Sequence, residues 1–220
     1  GNSQADVIYY SPQNMINPKP IVVAASTEMD APADFTNYGM LLDVSAPGGG
    51  INAPLDSEPQ RNILSLKSST CDPGICHPGL IVGTNYLRQA GTSMSAPHVS
   101  GAAALILADN PTLTNDEVRQ VLRASADDLG EAGFDSYNGA GRIDAMRALQ
   151  VDSVSHVDIS NPSYGAFISK SAGPVTITGT AGGSNFQSYQ LFYKQIEISN
   201  NQWIPITPQI NTPVYDGQLG

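Results

Sequence analysis

The residue in this chain best placed to do chemistry is Ser93, in the string Gly91-Thr92-Ser93-Met94-Ser95-Ala96-Pro97-His98. Small and apolar residues follow as far as Leu107, so the pattern predicts a helix over 93–108 whose first turn carries the Ser93 hydroxyl. The N–H groups of a first turn have no intrahelical acceptor, and the helix dipole favours negative charge there. A serine oxygen that attacks a carbonyl creates an oxyanion beside itself, so the position suits a nucleophile. Gly-Thr-Ser alone would read equally well as an ordinary cap, because Ser and Thr are preferred at helix N-termini.

A nucleophilic serine needs a base, and the chain has three histidines. His98 lies five positions after Ser93, about 140° further round a helix of 3.6 residues per turn, so its ring points elsewhere. His77 sits in a loop with Pro and Cys, and His156 in an expected downstream strand.

The longer string Gly91 to Gly101, GTSMSAPHVSG, resembles the active-serine segment of the subtilisin-like serine proteases. Residues 21–51, IVVAASTEMDAPADFTNYGMLLDVSAPGGGI, are similar to the two strands and connecting loop that precede that serine. Gly1-Asn2-Ser3 looks like the end of the family's AAGN segment, and TNDEVRQVLRASAD with YNGAGRIDAMRAL resembles its closing helices. The resemblance spans about residues 1–150. It implies that Ser93 is the nucleophile and that Asn2, with the Ser93 N–H, forms the oxyanion hole. Gly91, Thr92 and Met94 shape the segment, and Pro97 and His98 are structural. In this family the aspartate and histidine of the triad precede the serine, so both are expected upstream of Asn2. On that expectation the chain lacks the N-terminal part of its own catalytic domain and is inactive alone. Protein or peptide substrates are implied, with no cofactor for catalysis. A relative of another class, a non-catalytic extracellular binding protein on a degenerate version of the fold, is the alternative.

Two finer expectations come from the same resemblance. Tyr10-Ser11-Pro12 aligns with the floor of the substrate pocket, where a tyrosine would shorten it. Asp43 falls where relatives can hold a structural calcium, while Leu41 supplies no acidic partner, and a hard cation wants six to eight oxygens.

The charge balance narrows the partners. Twenty acidic against ten basic residues give a net charge of −10, which repels a nucleic-acid backbone. No apolar run approaches the roughly 18 residues of a membrane span. Cys71 and Cys76, in CDPGIC, read as a disulfide closing a small turn, with free thiols as the other reading. A zinc site with His77 would need four ligands. A disulfide and the family's habit both imply a secreted protein.

The elements that must hold these residues follow from periodicity. Continuous apolar runs at Ile21–Ala25, Leu42–Ser45 and Leu80–Gly83 predict strands of a parallel sheet covered on both faces. Thr114-Asn115-Asp116-Glu117 is a capping box that starts a second helix, and Ile143–Leu149 predicts a third. The surplus of roughly twenty residues between Gly48 and Gly91 reads as a surface insertion. After residue 150 the pattern changes to short strands at Val154–Ile159, Val175–Gly179, Tyr189–Ile198 and Trp203–Ile206, broken by Asn-Pro and Gly-Gly turns. The fold class expected is α/β for residues 1–150, a partial subtilisin-like parallel sheet with covering helices. Residues 151–220 are expected to form a small all-β sandwich-like domain of immunoglobulin or fibronectin type, cut short. Tyr189, Phe192, Tyr193 and Trp203 are expected in its core rather than on a carbohydrate-binding face.

Overall fold

The computed structural model describes residues 1–15, 19–50, 61–72, 74–163, 165–193 and 203–220. They form two compact units, one of residues 1–113 and 121–151, the other of residues 114–120 and 152–220.

In the first unit, β1 (Val23–Ser26) and β2 (Val44–Pro47) pair in parallel, with Val23 opposite Val44 and Ser26 opposite Pro47. Their apolar runs are buried on both faces. Val22, Ala24, Leu42 and Val7 make one cluster, and Ala25, Ala33 and Phe35 another. Helix α1 (Thr92–Asp109) packs across the pair. Its buried residues Thr92, Ser95, Val99, Ala102 and Ile106 recur every three or four positions, which is one stripe of a helix. Burying Val99 and Ile106 contributes about 1.5–3 kcal/mol each. Leu105 and Leu107 flank this stripe on its two sides and are 52 % and 39 % exposed.

Helix α2 (Asn115–Ala124) begins as its capping box predicts. The Thr114 N–H and hydroxyl donate to Glu117 Oε2, at 2.7 and 2.8 Å, and the Glu117 N–H donates back to Thr114 Oγ1 at 3.3 Å. Helix α3 covers only Ala145–Ala148, capped by Asp144. The expected start at Ile143 is overridden because the backbone there serves the sheet. Ser45 N–H donates to Gly141 O and Ile143 N–H to Ser45 O, so Arg142 lies parallel to β2. Gly141 permits this, since at φ +122° any Cβ would strike the Asp127 carbonyl.

The insertion is a small antiparallel sheet ordered β3 (Ile63–Leu66), β5 (Tyr86–Gln89), β4 (Ile81–Val82). Residues 80–83 therefore depart from expectation. Leu80 ends a 3₁₀ turn and Ile81–Val82 is an edge of this sheet, not a strand of the parallel one. The reason is local packing: Leu80, Leu87 and Cys76 bury one another, with Cys71 and Ile81 against them. Cys71 and Cys76 are disulfide-bonded, Cα atoms 5.9 Å apart. Residues 51–60 and 73 of the insertion lie outside the described residues.

In the second unit, β6 (Ser155–Asn161), β7 (Thr178–Gly183) and β10 (Val214–Gln218) form an antiparallel sheet ordered β10–β7–β6. Phe192–Tyr193 (β8) and Ile204–Pro205 (β9) form a two-stranded ribbon. Part of the expected strand Tyr189–Ile198 lies outside the described residues. Among the described residues the unit holds one three-stranded sheet and one ribbon. Phe192, Tyr193 and Trp203, expected in a core, are 45, 44 and 58 % exposed. Strand β10 escapes the sequence pattern because its pairing depends on a contact with β7. Gly182 leaves room for the Tyr215 ring, whose Cζ would stand 2.5 Å from any Cβ there.

Candidate active site

Gly91 precedes α1 with φ +149°, a conformation that glycine favours, and provides no side-chain cap. Thr92 and Ser93 are therefore the first helical residues, and Ser93 is exposed while Thr92 and Ser95 are buried. The Ser93 N–H is among those an α-helix leaves without an intrahelical acceptor. Pro97 falls in the second turn of α1. The carbonyl that its missing N–H would have served, four residues back, belongs to Ser93 itself, at the exposed end of the helix.

Asn2 is exposed and comes to the same place from the far end of the unit. Its Oδ1 accepts the Thr92 N–H at 3.0 Å and the Thr92 hydroxyl at 2.8 Å. With the oxygen end held twice, the Nδ2 end remains as a donor. It lies over Gly91, where a Cβ would stand 3.1 Å from it. The arrangement brings the Asn2 carboxamide against Thr92 and Gly91, beside the exposed Ser93 at the positive end of a helix. Such a set can stabilise an alkoxide or a tetrahedral oxyanion.

A cleft of about 270 Å³ opens on Ser93, lined also by Gly1, Gln13, Val22, Thr92 and Ala96. Pro12 lines it and Tyr10 does not. The Gln13 Oε1 atom is buried without a hydrogen-bond partner.

The remaining candidates sit apart from this group. His98 turns back along α1, its Nδ1 2.7 Å from Met94 O. His77 caps the 3₁₀ turn Pro78–Leu80 by accepting the Gly79 N–H, and His156 stands 3.6 Å from Glu117. Asp43 is 3 % exposed and its Oδ2 accepts the Val22 N–H at 2.9 Å, fixing the entry to β1. Among the described residues no group of three or more His, Cys, Asp or Glu could hold a metal ion.

Sequence reasoning missed the residues that hold Asn2 in place. Segment 1–7 runs beside residues 35–38: Gln4 N–H donates to Phe35 O, Tyr38 N–H to Ala5 O and Val7 N–H to Tyr38 O. No sequence pattern flags these partners, because the bonds use backbone groups of an irregular loop.

Residues 1–141 match the Subtilase family. Subtilisin NAT of Bacillus subtilis subsp. natto is 35 % identical over 133 residues, covering 60 % of this chain and 27 % of that protein. The extracellular serine protease of Serratia marcescens is 30 % identical over 142 residues, covering 64 % of this chain and 13 % of that protein. A solved protease of Pseudoalteromonas arctica superposes with a TM-score of 0.55 at 30 % identity, over 68 % of this chain and 40 % of that one. The chain spans 14 to 38 % of the length of the first curated relatives it matches.

Proposed function

Since the chain belongs to the subtilase family, we propose that it carries the nucleophile and oxyanion hole of a serine endopeptidase. The observation behind this reading is the exposed Ser93 at the start of α1, next to an Asn2 whose amide oxygen is held by Thr92. Ser93 Oγ attacks the carbonyl carbon of a peptide bond while a base takes its proton. The oxyanion forms between Asn2 Nδ2 and the Ser93 N–H. Collapse breaks the C–N bond, the base returns the proton to the leaving amine, and water then hydrolyses the acyl-serine.

The base and the aspartate that orients it belong, in this reading, to a part of the catalytic domain upstream of Asn2. Leu105 and Leu107, exposed on the two flanks of the buried stripe of α1, fit a helix that further protein covers. The cleft at Ser93 would receive the polypeptide substrate. No cofactor enters the reaction in this reading, and any calcium, with Asp43 as one carboxylate ligand, would serve structure alone. The disulfide, and relatives named as extracellular, support an exported protein. Residues 151–220 are read as an immunoglobulin- or fibronectin-like accessory module outside the chemistry.

The test is a fluorophosphonate probe applied to the full-length protein that contains this chain. Labelling is expected at Ser93 and lost in Ser93→Ala. Labelling that persists in Ser93→Ala overturns the assignment.

A further inference from the structure

We propose that Asn37 is a positioning residue for the oxyanion donor Asn2, an inference that rests on the proteolytic reading above. Asn37 brackets Asn2 from both sides. Its backbone N–H donates to Gly1 O at 2.8 Å, and its side-chain Oδ1 accepts the Ser3 N–H at 2.7 Å. Both peptide units that flank Asn2 are thus fixed by one residue. Gly1 and Asn37 are also in close packing: any Cβ at residue 1 would strike the Asn37 amide, which explains a glycine there.

Asn37 can hold Asn2 because it is itself held. It is 1 % exposed. Its neighbour Thr36 is tied to β1, the Thr36 Oγ1 accepting the Ala25 N–H at 3.0 Å, and Phe35 is buried against Ala25 and Ala33. Ala33 N–H in turn donates to Ala25 O at 2.8 Å. A rigid path therefore leads from the centre of the parallel sheet through Phe35, Thr36 and Asn37 to the residues on either side of Asn2. Thr92 fixes the far end of the Asn2 side chain and Asn37 fixes its backbone. An oxyanion donor acts only if it stands ready before charge develops, since a donor that must move during the reaction loses its advantage.

Asn37 touches neither substrate nor oxyanion, so its effect must pass through Asn2. That gives a sharp test in the full-length protein, with turnover counted per fluorophosphonate-titrated serine so that unfolded molecules do not enter. Asn37→Leu keeps the buried volume and removes the acceptor for Ser3 N–H. It is expected to lower kcat by about ten- to a hundredfold, as a donor displaced by an ångström would, with KM within about twofold. In an Asn2→Ala background the same substitution is expected to cost almost nothing more. Asn37→Asp keeps an oxygen to accept the Ser3 N–H and is expected to restore kcat to within about threefold of the parent. Equal losses with and without Asn2, a change confined to KM, or an Asp variant as slow as the Leu variant would each overturn the proposal while leaving the protease reading intact. If Ser93→Ala and Asn2→Ala both leave turnover unchanged, the protease reading falls and this inference with it.

Discussion

Asn2 and Thr92, ninety positions apart, meet through one oxygen: Asn2 Oδ1 accepts both the amide and the hydroxyl of Thr92. The carboxamide is thereby given a direction. Its oxygen is committed to Thr92, so its nitrogen is the end that remains to donate. Neither residue could set this alone, because a free asparagine side chain turns over at little energetic cost.

Thr92→Val in the full-length protein removes one of those two donors and keeps the shape. One neutral hydrogen bond is worth about 0.5–1.5 kcal/mol, so kcat is expected to fall by roughly two- to twelvefold with KM unchanged. Steady-state kinetics on a peptide substrate check it. A rise in KM at constant kcat would place Thr92 in substrate binding instead.

The Cys71–Cys76 bridge closes a short turn next to the buried Leu80 and Leu87. Replacing both cysteines with alanine is expected to ease opening of the three-stranded sheet by about 2 kcal/mol, the chain-entropy value for so short a loop. Amide hydrogen exchange should quicken at Leu87 in β5 and stay unchanged at Val99 in α1. Equal acceleration at both sites would mean that the bridge supports the whole unit.

Asp127 joins two arginines, accepting from Arg147 Nη2 at 2.5 Å and Arg142 Nη2 at 2.6 Å, while Arg142 also pairs with Asp30. The hydrogen bond from Arg147, then that from Arg142, holds the Asp127 carboxyl below its ordinary value of 3.8. A depressed carboxyl stabilises the fold above its unfolded pKa, and the contribution fades as pH falls through the folded one. Asp127→Asn should therefore lower the melting temperature at pH 7, and the gap between variant and parent should narrow as the pH drops below about 4. A gap independent of pH would assign the effect to packing. Because these groups keep partial access to solvent, salt should reduce it as well.

Much of this protein was legible in local pattern. The helix after Ser93, the capping box at Thr114 and the two buried strands are set by short-range rules: apolar spacing, reciprocal caps and β-branched runs. The bracketing of Asn2 was not legible, since Asn37 reads as one more polar residue in a loop. The edge strand at residues 81–82 and the sheet-like path of Arg142 were missed for the same reason, their partners being far away in sequence.

What the sequence determined by itself was which residues are chemically capable: a serine at a helix start, an asparagine at a turn, a glycine where the chain must bend. Only the tertiary structure decided that Ser93 faces solvent, that the Asn2 oxygen is committed to Thr92, and that Asn37 grips both flanks of Asn2. Chemical capacity resides in a side chain and its immediate neighbours. Direction is fixed by hydrogen bonds between segments 34 and 90 residues apart, which exist only once the parallel pair and α1 have packed together.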